Sequence, residues 1–375
     1  MGGDAVSRVP QDEVVAPGPP PPVPSRVRGP GRFVAGLLTT VFVLVIIAAG
    51  LTFVPLPYVT LAPGPATNIL GSVDGTPVLS IDGATTYPTD GSLDFTTVVF
   101  DGGPGRTVTV YELLAAWFSP DVDVTPESAY FPPDTTAEEV ETENAEMMND
   151  SQVVAAATAL RALGTEVPST VMVAAVPDTG PSAGKLEPGD QLVSVDGQDV
   201  SSAQQVRDIV QPLPAGTDVE VVVRRDGSQV GVDVTTAESN GVSIIGVLLG
   251  LDYDLPITVT LNTGSVGGPS AGLMFSLSIY DQLTPGSLTG GESIAGTGTI
   301  EDDGTIGPIS GVAQKMVGAR DAGARWFLTP ADECDATSGR VPDGMTVVRV
   351  STFDEARDAV EDIAAGRTDD LPRCD

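Results

Sequence analysis

The chain has 375 residues, 41% of them apolar, enough for one or two substantial cores, and it sets 18 Lys+Arg against 51 Asp+Glu for a net charge of −33. That sign speaks against a phosphate-neutralising nucleic-acid binder. There is no histidine, which removes Ser-His-Asp and Cys-His catalysis and every His-ligated zinc site. Neither lysine, Lys185 or Lys315, lies in a P-loop, so no metal, nucleotide or other cofactor is expected.

Residues 1–32 form a Pro-rich tail that cannot build a core. Residues 33–54, FVAGLLTTVFVLVIIAAGLTFV, carry no charge and as a helix would span about 33 Å, a bilayer core. Arg26, Arg28 and Arg32 crowd the N-terminal flank, so the positive-inside rule places the tail in the cytoplasm and the acidic bulk outside a single-pass cell-membrane anchor. The competing reading is a cleaved signal peptide, which would have a shorter apolar core and an A-x-A site after it.

Residues 55–164 open with turn signals (Val73-Asp-Gly, Ile81-Asp-Gly, Asp101-Gly-Gly) between β-prone runs such as Leu93–Phe100. An acidic patch, Thr135 to Asp150, leads into an Ala-rich stretch predicted to be a helix over 151–163, which Gly164 ends.

From 165 to 238 the pattern turns to short strands at 170–176, 191–195, 218–225 and 229–235, the last two joined by Asp226-Gly227. One short helix, 202–210, is opened by Ser-Ser-x-x-Gln. Gly180-Pro-Ser-Ala-Gly-Lys-Leu-Glu-Pro-Gly-Asp190 and Gln191-Leu-Val-Ser-Val-Asp-Gly197 resemble a PDZ domain of the bacterial type over about 75 residues. The resemblance implies binding of an extended peptide or free C-terminus by strand addition. The family's carboxylate loop would fall near Val167–Val171, where no Gly-Leu-Gly-type signature stands.

Residues 241–366 alternate predicted strands (242–248, 257–261, 325–329, 346–350) with helices (270–282, 311–322, 353–365), an α/β pattern; the last helix begins with Thr352-x-x-Glu355, a capping box. A tail, 367–375, follows. Cys334 and Cys374 either pair, in keeping with an oxidising compartment, or remain two free thiols.

Without histidine, a nucleophile needs another base, and lysine beside serine is the known alternative. Gly267-Gly-Pro-Ser-Ala-Gly272 precedes an apolar helix; a serine there can use free backbone N–H groups as an oxyanion hole, although alone it reads as a capping serine. Lys315 shifts the balance: it is one of two lysines beside sixteen arginines and sits early in a helix among Val312, Met316 and Val317. To serve as a base at neutral pH it must lose about three pKa units, which burial and a helix N-terminus both favour.

Gly268-Pro-Ser-Ala-Gly272, Thr297-Gly298, Gly304-Thr-Ile-Gly-Pro-Ile-Ser-Gly311 and Lys315, 45 residues after Ser270, resemble the proteolytic domain of the Lon family from about Thr258 to Ala365. The resemblance implies Ser270 as nucleophile, Lys315 as general base, Thr297 orienting the amine, and Gly268, Pro269 and Ala271 shaping the oxyanion turn. The acidic residue that often precedes the family's Gly-Pro-Ser is replaced by Gly267-Gly268, and no ATPase region is present in this sequence.

The expected architecture is therefore an α/β (α+β) Lon-type proteolytic domain with an inserted β-rich PDZ domain behind one N-terminal transmembrane helix, residues 55–164 supplying the protease's N-terminal part. It resembles the membrane-anchored Lon-like PDZ serine proteases of Gram-positive bacteria: ATP-independent endopeptidases taking peptide or protein substrates, with homo-oligomers possible. A catalytically silent PDZ scaffold is the alternative. A third reading takes Ser182-Ala-Gly-Lys185 as the S-x-x-K signature of a cell-wall acyltransferase, but S-D-N and K-T-G partners are missing and Pro188-Gly189 follow almost at once.

Overall fold

The computed structural model describes residues 18, 31–239, 241–264 and 266–374; most of the predicted cytoplasmic tail, with Arg26 and Arg28, lies outside them. Met1–Val54 and Pro55–Asp375 are separate units. In the first, helix α1 (Arg32–Leu51) is long and apolar enough over Phe33–Leu51 to cross a bilayer. It ends three residues short of the predicted span, at a Thr52 cap whose N–H bonds Gly50 O. Twenty residues still give about 30 Å.

In the second unit, a six-stranded mixed sheet draws on two distant parts of the chain. β1 (Tyr58–Asn68), β2 (Ser92–Asp101) and β3 (Asp123–Pro126) precede the PDZ-like segment; β9 (Ser293–Gly296), β10 (Trp326–Pro330) and β11 (Thr346–Val350) follow it. The strand order is β11-β10-β9-β2-β1-β3. The two halves meet where β9 runs parallel to β2, Ser293 opposite Ser92 through Gly296 opposite Phe95. Helices α5 (Gly272–Leu283), α6 (Val312–Asp321) and α7 (Phe353–Ala364) connect and cover the later strands. Leu93, Phe95, Phe275, Leu277, Ile294 and Leu328 fill the main core. α6 lies tight on β1 because a Cβ at Gly318 would run into the Gly64 carbonyl. The carboxylates of Asp94 (β2) and Asp281 (α5) are both pushed up to about 6, burial being the main cause.

After the short helix α2 (Val110–Trp117), helix α3 (Ala137–Ala162) begins fourteen residues before the predicted start, because the acidic patch is its first half. Thr136 and Glu139 close a reciprocal capping box, and Glu138 and Glu139 lie where the helix dipole favours negative charge. The buried face is confined to the later turns, where Ala155, Ala156 and Ala159 let the helix approach α5 closely. At α7 the predicted box is half made: Thr352 accepts from Glu355 N–H, whereas Glu355 accepts from Ser351 N–H.

The PDZ-like sheet contains β4 (Ser169–Ala175), β5 (Gln191–Val195), β6 (Asp218–Arg225), β7 (Ser228–Thr235) and β8 (Leu248–Tyr253), in the order β7-β6-β5-β4-β8. Asp226 and Gly227, both at positive φ, make the tight β6–β7 turn. Ser202 caps α4 (Ala203–Val210) by accepting from Gln205 N–H. The predicted strand 242–248 is broken at Gly246, at φ +72°. Its far side, β8, pairs antiparallel with β4, so this sheet runs past residue 238 and takes an outer strand from the segment that continues into the second half of the larger fold. Cys334 and Cys374 are disulfide-bonded, with Cα atoms 5.1 Å apart, and hold the C-terminal tail to residues 331–337.

Candidate active site

The serine turn is held from both sides. On one side, α3 fixes it: Gly268 N–H donates to Asn144 O at 2.9 Å, and Ser151 Oγ donates to Pro269 O at 3.1 Å. Gly272 must lack a side chain there, since a Cβ would sit 2.8 Å from Ile300 Cγ2 and 2.9 Å from Ser151 Oγ. On the other side, the end of β9 pins the main chain. Gly298 N–H and Thr297 Oγ1 both donate to Ser270 O, at 2.9 and 3.0 Å, and Leu273 N–H returns a bond to Gly298 O at 3.1 Å. The Ser270 side chain is left half-buried at the mouth of α5.

Lys315 sits in the first turns of α6, a helix entered through Gly311 in the left-handed region. It is only 2% exposed, and its Nζ donates to Thr297 Oγ1 at 3.0 Å. One hydroxyl thus accepts from the amine and donates to the Ser270 carbonyl. Burial lowers the amine's pKa from 10.5 to about 7, against the opposing charge of Glu333. Among the described residues the Ser270 hydroxyl is not itself hydrogen-bonded to Nζ.

The three turn residues do not contribute equally. Gly268 N–H is already engaged by Asn144, and Pro269 has none, so Ala271 is the member of the set left with a donor. Asn144 and Ser151 were not anticipated because they lie over a hundred residues before the serine; the capping box at Thr136 was the available sign that the helix reaches that far back.

The other Gly-Pro-Ser-Ala-Gly segment has a different fate. Ser182 is fully buried, and its Oγ donates to Ile245 O at 2.6 Å. Lys185 points away, its Nζ on Asp233 O at 2.9 Å. The S-x-x-K reading therefore fails on geometry: the hydroxyl is committed to holding the 243–247 loop. That loop leads into β8, and with α4 it bounds a groove of about 290 Å³ lined by Val206, Val210, Ile245, Gly246, Val247 and Leu249, among others. β8 is the outer strand of its sheet and packs against α4. Residues 245–247 border this groove, whereas residues 167–171, where the resemblance places the carboxylate loop, lead into β4, which is paired on both sides. At the far end of β8, Tyr253 OH donates to Asp302 Oδ1 at 2.8 Å, the same oxygen that Arg161 Nη1 meets at 2.7 Å. This joins the groove strand to the 299–307 hairpin beside the serine helix.

Residues 173–225 match the PDZ domain family model, and residues 252–360 match that of the Lon protease (S16) C-terminal proteolytic domain. The chain is 29% identical to Lon protease 2 of Bacillus subtilis over 109 residues, 29% of this chain and 19% of that protein. It is 36% identical over 73 residues to a probable periplasmic serine endoprotease, DegP-like, of Pseudomonas fluorescens, covering 19% of this chain and 15% of that one. The solved PDZ domain of an SdrC-like protein from Listeria monocytogenes is 26% identical, covering 21% of this chain and 86% of the domain, with a TM-score of 0.21. The chain thus spans less than a fifth of the length of these curated relatives, and what it carries is a PDZ domain together with a Lon-type serine peptidase domain.

Proposed function

We propose that this protein is a membrane-anchored, extracytoplasmic serine endopeptidase that works without ATP through a Ser270–Lys315 dyad. The observation that carries the reading is the buried amine of Lys315, near neutrality in proton affinity and tied through the Thr297 hydroxyl to the Ser270 main chain. Ser270 Oγ attacks the scissile carbonyl carbon as its proton passes to neutral Lys315. The developing oxyanion takes the Ala271 N–H. The lysine ammonium then protonates the departing amine, giving an acyl-Ser270 ester. Water, deprotonated by the same lysine, releases the new C-terminus and restores the serine.

Substrate segments enter as an extra strand on the free edge of β8, opposite α4, with apolar side chains in the groove. Membrane attachment rests on Phe33–Leu51, and the disulfide is in keeping with an oxidising compartment. The 55–164 segment is part of the peptidase fold, because β1, β2 and α3 build the sheet and the seat of the serine turn. To test this, the full chain in detergent is incubated with membrane and secreted proteins without ATP, and new N-termini are mapped by mass spectrometry. Cuts made by wild type but not by Ser270→Ala or Lys315→Ala support the dyad. Identical maps for all three would favour the silent scaffold.

A further inference from the structure

Lys315 is buried, yet a base buried too well becomes too weak to take a serine proton; the useful proton affinity lies near the working pH. Something must therefore limit how far burial acts. α6 packs against β1, β2, β9, β10 and the turn over 331–337. The ionisable groups on these elements are Tyr58 on β1, Asp94 and Asp101 on β2, Arg320 and Asp321 on α6, and Asp332, Glu333 and Asp335 on the turn. Asp101 is paired with Arg106, and Arg320 with Asp321. Among the described residues, only Glu333 acts by its charge on the Lys315 amine.

Glu333 is also held where it is. Its Oε1 accepts from Ile309 N–H at 3.1 Å, in the segment Pro308-Ile309-Ser310-Gly311 that enters α6. Gly311 O in turn accepts from Lys315 N–H at 3.0 Å. The next residue, Cys334, is bonded to Cys374, whose N–H reaches Val347 O on β11 at 3.3 Å. Ile309 and Cys374 pack on the same small core as Val312 and Met316. Carboxylate, helix entry and disulfide thus form one assembly on the side of α6 that carries the base.

We propose that Glu333 is a positioning residue for the Lys315 base, its carboxylate seating the entry of α6 through Ile309 N–H and fixing a negative charge on the side of the helix that carries the amine. This rests on Lys315 being the general base.

The chain's two lysines make the test direct. The full chain in detergent micelles is labelled with [13Cε]lysine and titrated by NMR, Lys185 serving as internal reference. Glu333→Gln retains an oxygen for Ile309 N–H and removes only the charge. The Lys315 midpoint is expected to fall by about 0.3 pH unit or more, with Lys185 unmoved. In parallel, the acidic limb of kcat/KM on fluorescein-labelled casein should move to lower pH by the same amount. Glu333→Ala should shift the midpoint likewise and also lower the melting temperature, since the seat is lost. An unchanged Lys315 midpoint in Glu333→Gln would overturn the proposal. A shifted midpoint with an unshifted activity limb would instead overturn the role of Lys315 as base, leaving the electrostatic seat standing.

Discussion

Gly-Pro-Ser-Ala-Gly occurs twice in this chain, at 180–184 and 268–272, and the two copies do opposite things. Ser182 is fully buried with its hydroxyl spent on Ile245 O, and the lysine three residues on turns outward to Asp233. Ser270 is pinned by its carbonyl instead, which leaves its hydroxyl uncommitted, and its lysine arrives from 45 residues downstream, buried and bonded to Thr297. Five identical residues become a structural peg or a candidate nucleophile according to which atom the surroundings engage. The chemistry lies in the frame around the motif.

The comparison is broken most sharply by exchanging the serines. Ser270→Ala should abolish casein cleavage. Ser182→Ala should keep the chemistry, cost about 1–3 kcal/mol in denaturant unfolding through the unpaired Ile245 carbonyl, and weaken peptide binding in the groove that loop shapes. Loss of cleavage in both would erase the distinction. The lysines should separate next: Lys315→Met is expected to lower kcat about 10²–10⁴-fold, the usual contribution of a general base, whereas Lys185→Met stays within about twofold. For wild type, kcat/KM should rise as pH passes through about 7 and then level off, because only the neutral amine accepts a proton.

A smaller effect concerns stability. Asp94 has one carboxylate oxygen without a hydrogen-bond partner, and its pKa is raised from 3.8 to about 6 by burial. A raised carboxyl pKa means that the folded state holds the proton more tightly. This contribution is therefore full below about pH 4 and is lost as pH rises through about 6. Asp94→Asn should flatten that fall and stabilise the protein at pH 7 by about 1–3 kcal/mol, read from urea unfolding at several pH values. Smallest, Tyr253→Phe should cost about 1 kcal/mol by removing one hydrogen bond to Asp302 at the junction of groove strand and hairpin.

Much of this was legible in the residues. Helices α5, α6 and α7 and strands β2, β5, β6 and β11 fall within about two residues of expectation, because apolar runs mark their extents, Gly-Pro turns precede α5 and α6, and Thr352 caps α7. The front half of α3 was hidden because Glu138 to Asp150 offers no apolar stripe; only Thr136-x-x-Glu139 betrayed it. The groove strand was hidden by order in the chain, since β8 follows the rest of its domain and its loop ends in Gly246-Val247 rather than a recognisable signature. Glu333 was invisible because nothing local links it to Lys315. The parallel pairing of β10 with β9 and the closure onto Cys374 bring it back to the entry of α6.

The most direct measurement is to treat the full chain with a fluorophosphonate at pH 8 and identify the modified residue by mass spectrometry. Adduct formation at Ser270 in wild type, absent in Lys315→Met and unaffected by Ser182→Ala, is the predicted result. An adduct on Ser182, or equal labelling of Ser270 without Lys315, would contradict the dyad.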